Sequence, residues 1–294
     1  MKHIHLISRY KMRWVVPLCK YLSSEWRVTA ATAASPEQPN LIIFAWADDI
    51  ARDYINNTEK GDKKYVVFLR SYEYIEEWWL DIDWSKVDQI ICVNDYIADV
   101  VEDYTKKKPH VIYNSVELDK WTFRSRSHGN KIAMVSHLHY KKNHPLALQI
   151  LEKLSPDYSL HCAGAIQCGD IINYLDNLSK KIDRKIYIYD HIEEDKLDHW
   201  LEDKDYILST SFREGSPNNV IECMAKGIKP IVHNWPGAKQ QFGNFVFDTI
   251  DQASDMMRNN SEYNSAEYRI IAKERFGLDN YRRIKEIVGK LIEA

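Results

Sequence analysis

Short apolar runs alternate along this chain with segments whose apolar residues recur at helical spacing. The strand candidates are 3–8, 27–33, 41–46, 65–70, 89–93, 110–113, 131–137, 158–164, 185–190, 206–210 and 229–234. The helical candidates are 14–24, 47–57, 95–104, 143–154, 168–181, 193–202, 217–226 and two within 266–294. Strands that alternate with helices pair in parallel, because each helix carries the chain back across the sheet. The pattern therefore predicts an α/β protein with doubly wound parallel sheets.

A polar segment interrupts this alternation near the middle of the chain. Residues 117–131 are rich in charge and contain Gly129, which is typical of a linker between domains. A chain of 294 residues is also long enough for two hydrophobic cores of ordinary size. We therefore expect two doubly wound domains with a ligand cleft between the carboxyl edges of their sheets.

Composition argues against several functional classes. A formal net charge of -3 and a pI near 6.4 are not those of a dedicated nucleic-acid binder. No segment approaches the roughly 20 apolar residues that span a bilayer, and the first residues do not form a convincing signal peptide. The five scattered cysteines suit the reduced thiols of a cytoplasmic protein, and their spacing suits no zinc site.

The stretch 209–237 carries the clearest chemical signal. A strand ends in a Gly-Ser-Pro loop, and Pro217 suits the first turn of a helix because it lacks the N–H that would be unpaired there. Gly227 and Pro230 then end that helix. The N–H groups and the positive end of the helix dipole at 216–219 form a site for an anion.

Two carboxylates flank this helix start. Glu214 lies in the loop and Glu222 lies one to two turns into the helix, so each can accept hydrogen bonds from hydroxyls of a ligand. Taken singly, such a carboxylate is more often a solvated surface group. The combination of strand, loop and capped helix favours a ligand that carries both hydroxyls and phosphate.

The segment SFREGSPNNVIECMAKGIKPIV, residues 211–232, resembles the signature of the retaining nucleotide-sugar glycosyltransferases of family 4. Further segments that resemble this family are VDQIICVNDYIADVV at 87–101, HVIYNSVELDKW at 110–121, KIAMVSHLHYKKNHPLAL at 131–148 and YIYDHI at 187–192. The resemblance covers nearly the whole chain and is weakest before residue 60. It implies a GT-B fold, in which two Rossmann-like doubly wound domains face each other across a cleft. The acceptor domain is then 1–120, the donor domain is 121–277, and the helix near 278–294 packs back on the first domain.

The resemblance also implies roles for individual residues. Glu222 is expected to bind the nucleotide ribose, Glu214 the hydroxyls of the transferred sugar, and Lys142 the diphosphate, whose developing charge an ammonium stabilises as the glycosidic bond breaks. The donor-binding set is Glu222, Gly215, Ser216, Pro217, Asn218, Asn219, His137, His191 and Ile192. The catalytic candidates are Glu214, Lys142, Arg70 and Glu73. No metal or other cofactor is expected.

The sequence departs from the family pattern at two places. His137 stands where the family normally has an arginine. It is either a phosphate ligand or a hydrogen-bonded histidine at a strand end. The first loop, at residues 8–14, lacks the usual glycine pair. Its cations Arg9, Lys11 and Arg13 either bind phosphate or belong to a loop that folds otherwise and contacts the acceptor.

Arg70 and Glu73 follow the fourth strand candidate and are expected to face the cleft. They are read either as acceptor-binding residues or as a structural ion pair. The tryptophans Trp14, Trp26, Trp78 and Trp79 are expected to belong to the core. The basic segment 9–27, with six Lys or Arg against one Glu in the first 30 residues, leaves open a peripheral contact with anionic lipid at the inner face of a membrane.

The sequence thus predicts a cytoplasmic glycosyltransferase that moves a sugar from a nucleoside-diphosphate sugar to a hydroxyl of a glycan, lipid-linked or small-molecule acceptor, with retention of configuration. Two alternatives are open. One is an epimerase-like GT-B enzyme, and the other is a non-catalytic GT-B subunit that binds glycan or regulates a partner. Nucleic acid is not an expected partner.

Overall fold

The computed structural model of the chain describes residues 1–9, 14–33, 37–259 and 263–293. The chain forms two compact units. The first comprises Met1–Ser115 together with Leu278–Ala294, and the second comprises Val116–Gly277.

The elements follow the alternation that the sequence predicts. The strands are β1 His3–Ile7, β2 Arg27–Ala31, β3 Leu41–Phe44, β4 Lys64–Leu69, β5 Gln89–Cys92, β6 His110–Val111, β7 Lys131–Val135, β8 Ser159–Ala163, β9 Lys185–Tyr189, β10 Tyr206–Ser209, β11 Lys229–His233 and β12 Val246–Phe247. The helices are α1 Val15–Leu22, α2 Asp49–Asn57, α3 Ser71–Glu76, α4 Asp95–Thr105, α5 His144–Lys153, α6 Gly169–Ile182, α7 Glu194–Trp200, α8 Asn218–Ala225, α9 Ala238–Phe242, α10 Ile250–Arg258, α11 Ser265–Phe276 and α12 Asp279–Glu293.

The first unit is built on a six-stranded sheet in the order β2-β1-β3-β4-β5-β6, in which every neighbouring pair is parallel. The strands β1 and β3 are buried along their whole length, because helices cover both faces of the sheet. On one face lie α2 and α4, whose starts are capped by Asp48 and Asn94. On the other face lie α1 and α12.

The second unit contains a six-stranded parallel sheet in the order β12-β11-β10-β7-β8-β9. Its first strand, β7, therefore lies in the middle, and the strand order reverses between β7 and β10. The helices α5, α6 and α10 bury their apolar sides in one core cluster of this sheet. Helix α8 packs on β10, β11 and α11. A doubly wound sheet of this order binds ligands where its strand order reverses.

Four elements were missed by the sequence prediction: α3, α9, α10 and β12. Three of them, α3, α9 and β12, are short. Helix α10 has 9 residues and buries Ala253, Ser254 and Met257 on one side, so its helical spacing is present in the sequence. Its start is also well defined, because Thr249 and Gln252 form a reciprocal capping box.

The polar segment predicted as a linker packs on the second unit. The guanidinium of Arg126 donates to the backbone carbonyls of Lys204 and Lys226 at 2.9 and 2.7 Å, and its backbone N–H donates to Ser265 Oγ. Trp121 is buried. Charge in this segment therefore serves hydrogen bonds to carbonyls as well as solvation.

Candidate functional site

The candidate site of the second unit lies where β7 and β10 end side by side. Ser136 and His137 follow β7, and the loop from Thr210 to Ser216 follows β10. Gly164, which follows β8, closes against the same place. A Cβ on Gly164 would lie 2.1 Å from the carbonyl oxygen of Ser136, so a larger residue would push these strand ends apart.

Helix α8 begins directly after the loop. Pro217 is its N-cap, so the helix starts at Asn218, one residue later than the sequence predicted. The side-chain amide of Asn219 donates to the carbonyl of Val135 at 2.7 Å, which ties the helix start to the end of β7. Gly227 follows the last turn with a φ of +82°, as expected for the residue that ends this helix.

Glu214 and Lys142 form an ion pair at this site. The Lys142 ammonium lies 2.5 Å from Glu214 Oε1, and their side chains are 26% and 15% exposed. The backbone of Lys142 is held as well, because the hydroxyl of the buried Thr210 donates to its carbonyl at 2.7 Å. A lysine and a glutamate predicted for one ligand are thus in direct contact in the free protein.

Glu222 is the fifth residue of α8 and is half-buried. It lies one turn after Asn218, so the two side chains share a face of the helix. The Oδ1 atom of Asn218 and the hydroxyl of Ser136 are buried, and neither has a hydrogen-bond partner in the described part of the chain. Buried polar atoms without a partner are uncommon in folded proteins and require an explanation, and a bound ligand at this helix start would supply one.

His137 lies within electrostatic range of Lys142 and of two other histidines. The pKa of His137 is lowered, first by desolvation of the ring and then by the charges of Lys142, His191 and His139. His137 is therefore neutral at neutral pH, although its position resembles that of an arginine. His191 and Ile192 lie in the loop after β9, where the backbone N–H of His191 donates to Asp190 Oδ1 at 2.7 Å. His191 is exposed and Ile192 is half-buried.

Thr210 and Gln241 were not among the sequence-predicted site residues. The side-chain amide of Gln241, on α9, donates to the carbonyl of Gly215 at 2.6 Å. Thr210 and Gln241 are completely buried. In the structure, the burial of the polar Gln241 side chain beside the loop indicates this contact. The sequence could not indicate it, because Gln241 lies 26 residues beyond Gly215.

Arg70 and Glu73 lie at the carboxyl edge of the first unit's sheet. The guanidinium of Arg70 stacks 4.0 Å from the ring of Trp14 and donates to Asn114 Oδ1 at 2.9 Å. Its burial lowers the pKa to about 10. Within the described residues it forms no ion pair with Glu73, so that reading of the two residues is wrong.

Glu73 is 0% exposed. Desolvation raises its pKa to about 8, and the backbone N–H groups of Glu73 and Ala47 and the charge of Arg70 oppose this rise only in part. Glu73 therefore carries a proton at neutral pH and does not reach a ligand in this conformation.

The cations of the first loop are described only in part. Arg9, which follows β1, contacts Asp49 and lies 3.6 Å from Asp48, both of which follow β3. Lys11 and Arg13 lie outside the described residues. A phosphate role for Arg9 would have to compete with these two carboxylates.

Other predicted features concern metals, thiols and membranes. Among the described residues, no group of three or more His, Cys, Asp or Glu side chains is arranged to hold a metal ion. All five cysteines are free thiols. In the described parts of the chain, no helix combines the length and the apolar character that crossing a bilayer requires.

Residues 115–254 match the family model of the group 1 glycosyl transferases. The match covers just under half of the chain and most of the second unit, including β7, β10 and α8. Comparison with proteins of curated function gives no match.

Solved structures resemble the chain over its whole length. A glycosyltransferase from Rickettsia africae aligns with a TM-score of 0.79 at 14% identity, covering 99% of this chain and 98% of that one. Anabaena HepE, solved with UDP, aligns with a TM-score of 0.81 at 12% identity over 99% and 100%. Sucrose-phosphate synthase from Thermosynechococcus elongatus aligns with a TM-score of 0.81 at 11% identity over 100% of both chains. These likenesses confirm the predicted fold, GT-B with two Rossmann-like units.

Proposed function

We propose that this chain is a glycosyltransferase that moves a sugar from a nucleoside-diphosphate sugar to an acceptor hydroxyl with retention of anomeric configuration. The family match of residues 115–254 supports the class of enzyme. The contact between Lys142 and Glu214, beside the start of α8, is the observation that carries the donor site. HepE has also been solved with UDP and glucose, which supports a nucleotide and a sugar as ligands of this fold.

The donor site follows from the charges at the ends of β7 and β10. When the donor enters, the Lys142 ammonium exchanges Glu214 for the diphosphate, and the Glu214 carboxylate turns to the hydroxyls of the sugar. The leaving diphosphate gains charge as the glycosidic bond breaks, and a fixed ammonium with the helix N-terminus stabilises that charge. Glu222 accepts hydrogen bonds from the ribose hydroxyls.

In this proposal Glu214 and Glu222 hold the donor and do not attack it. A donor phosphate oxygen takes the proton of the acceptor hydroxyl, and the protein acts by positioning and electrostatics. In this proposal the cation at the diphosphate is Lys142, and the reaction needs no metal ion. Arg70 is the proposed acceptor contact in the first unit, and Glu73 joins it only if the segment around α3 rearranges.

The acceptor is a glycan, a lipid-linked sugar or a small molecule, and the proposed setting is cytoplasmic. Peripheral contact with anionic lipid through residues 9–27 is part of the proposal. Within this segment, helix α1 exposes Val16 and buries Val15, Leu18 and Leu22. Trp14 belongs to the core, as predicted, so it is not a membrane anchor.

Turnover of a panel of nucleotide sugars tests the proposal. Purified protein is incubated with each donor and a mixture of sugar acceptors in EDTA, and release of nucleoside diphosphate is measured. The product anomer is then read by NMR. Release together with a retained anomer is expected. A changed sugar on an intact nucleotide would indicate an epimerase, and donor binding without any turnover would indicate a regulatory subunit.

A further inference from the structure

A buried side chain from outside contacts the backbone of the loop that carries Glu214. Gln241 is 0% exposed, and its Nε2 donates to the carbonyl of Gly215 at 2.6 Å. Helix α9, which contains Gln241, is itself held by a contact from α11. Arg275 Nη1 on α11 donates to the carbonyls of Gln240 and Gln241 at 3.2 and 3.0 Å.

Packing alone does not explain a glutamine at this position. Its neighbours on α9, Ala238 and Phe242, are buried and apolar. Gln241 Oε1 is also buried, and it has no hydrogen-bond partner in the described part of the chain. An unpaired buried amide oxygen costs free energy that a leucine of similar volume would not cost. The hydrogen bond to Gly215 is the contact that a leucine would lose.

That hydrogen bond fixes a peptide plane. The peptide group between Gly215 and Ser216 is planar and trans, so its C=O and N–H point in opposite directions. Because Gln241 holds the carbonyl, the Ser216 N–H must point away from α9.

We propose that Gln241 is a positioning residue for donor binding: it holds the Gly215–Ser216 peptide in the orientation in which this loop grips a nucleoside diphosphate sugar. It does not touch the ligand and acts through Gly215. The neighbouring Glu214 is oriented by the same constraint. This inference rests on the proposed function, because the ligand of the loop is the donor of that reaction.

Three variants test the inference. Gln241→Leu removes the hydrogen bond and keeps the volume, and Gln241→Glu keeps the shape but donates only when its carboxyl is protonated. Gln240→Leu, at the exposed neighbouring position, is the matched control. Each protein is titrated calorimetrically with UDP, GDP and ADP, and its thermal midpoint is measured in parallel.

The wild type is expected to prefer one nucleoside diphosphate. Gln241→Leu should bind that nucleotide about tenfold more weakly, and its thermal midpoint should be unchanged or raised. For Gln241→Glu, the ratio of its Kd to the wild-type Kd rises as pH rises from about 5 to about 8, because the carboxylate form cannot donate to Gly215. Gln240→Leu binds like the wild type.

A purely structural role would instead lower the thermal midpoint of Gln241→Leu while the folded protein binds as tightly as the wild type. That result overturns the inference and leaves the proposed function in place. If the wild type binds none of the three nucleotides, the proposed function fails, and this inference fails with it.

Discussion

The ammonium of Lys142 lies 2.5 Å from a carboxylate oxygen of Glu214, which belongs to a loop 72 residues further along the chain. This contact keeps the two charges of the proposed donor site together. Because both side chains are partly exposed, the pair adds at most about 1 kcal/mol to stability. The proposed role of the pair is therefore in binding and catalysis and not in stability.

Replacing Lys142 with methionine should lower kcat/KM for the nucleotide sugar about 10²- to 10³-fold, the range found when one group that stabilises developing charge is removed. The thermal midpoint should change by only about 1–3 °C, because the pair contributes little to folding. Steady-state kinetics and a thermal melt measure both quantities on one preparation.

The matched control is Lys180→Met, which removes an exposed lysine 2.6 Å from Asp176 on α6. It should leave kcat/KM unchanged. Equal losses of kcat/KM in Lys142→Met and Lys180→Met would show that the loss comes from the change in net charge and not from the position of Lys142.

Donor binding should depend on pH through His137. The pKa of this ring lies below its ordinary value of 6.5, so the free protein holds it neutral at pH 7. A bound diphosphate favours the charged ring and raises that pKa, so binding takes up a proton. The Kd for the nucleoside diphosphate should therefore fall as pH falls from about 8 to about 6. Titration of His137→Asn should give a flatter slope, and an unchanged slope would exclude His137 as a phosphate ligand.

His144 should make the fold sensitive to acid. Its ring is fully enclosed, neither nitrogen has a hydrogen-bond partner in the described residues, and desolvation lowers its pKa to about 4. The unfolded chain binds a proton here near pH 6.5 and the folded chain only near 4, so this contribution to stability is complete above pH 6.5 and is lost as pH falls toward 4.

Urea denaturation between pH 7 and pH 4 measures this contribution. The free energy of unfolding of the wild type should fall by about 2–3 kcal/mol more than that of His144→Leu across this range. His199→Leu, at an exposed ring on α7, is the control and should follow the wild type. Parallel curves for wild type and His144→Leu would contradict the assignment.

Much of the fold was predictable because local rules and the tertiary structure agree. Apolar runs give the strands, and Pro217 and Gly227 bracket α8 nearly where the sequence placed it. Glu214 and Glu222 could be named as candidates because they lie on either side of the start of that helix. The pairing of Glu214 with Lys142, and the hold of Gln241 on Gly215, depend on strand order, which sequence spacing does not encode.

The sequence was least informative at Arg70 and Glu73. Their spacing suggested an ion pair or a shared ligand, but Arg70 is the N-cap of α3 with an extended backbone, and Glu73 lies inside the helix. The two side chains therefore leave the backbone in different directions. Arg70 turns to Trp14 and Asn114, and Glu73 is enclosed.

Glu73→Gln should stabilise the fold at neutral pH. The pKa of Glu73 is about 8 in the folded protein against an ordinary value of 4.5, so its stability contribution is fully present below pH 4.5 and is lost as pH rises through 8. Glutamine mimics the neutral acid and does not titrate. The variant should exceed the wild type by about 2–3 kcal/mol at pH 7, and by little at pH 4, in urea denaturation. A destabilised variant at pH 7 would show that the carboxylate form is required.

The most direct test of the donor site is calorimetric titration of UDP, GDP and ADP into wild type and Glu222→Gln, with Glu274→Gln on α11 as an exposed control. The wild type should bind at least one nucleotide, and Glu222→Gln should bind it about 10- to 100-fold more weakly, because the ribose hydroxyls lose a charged acceptor. Glu274→Gln should bind like the wild type. Equal affinities for all three proteins, or no binding by the wild type, would contradict the assignment of this site to a nucleotide-sugar donor.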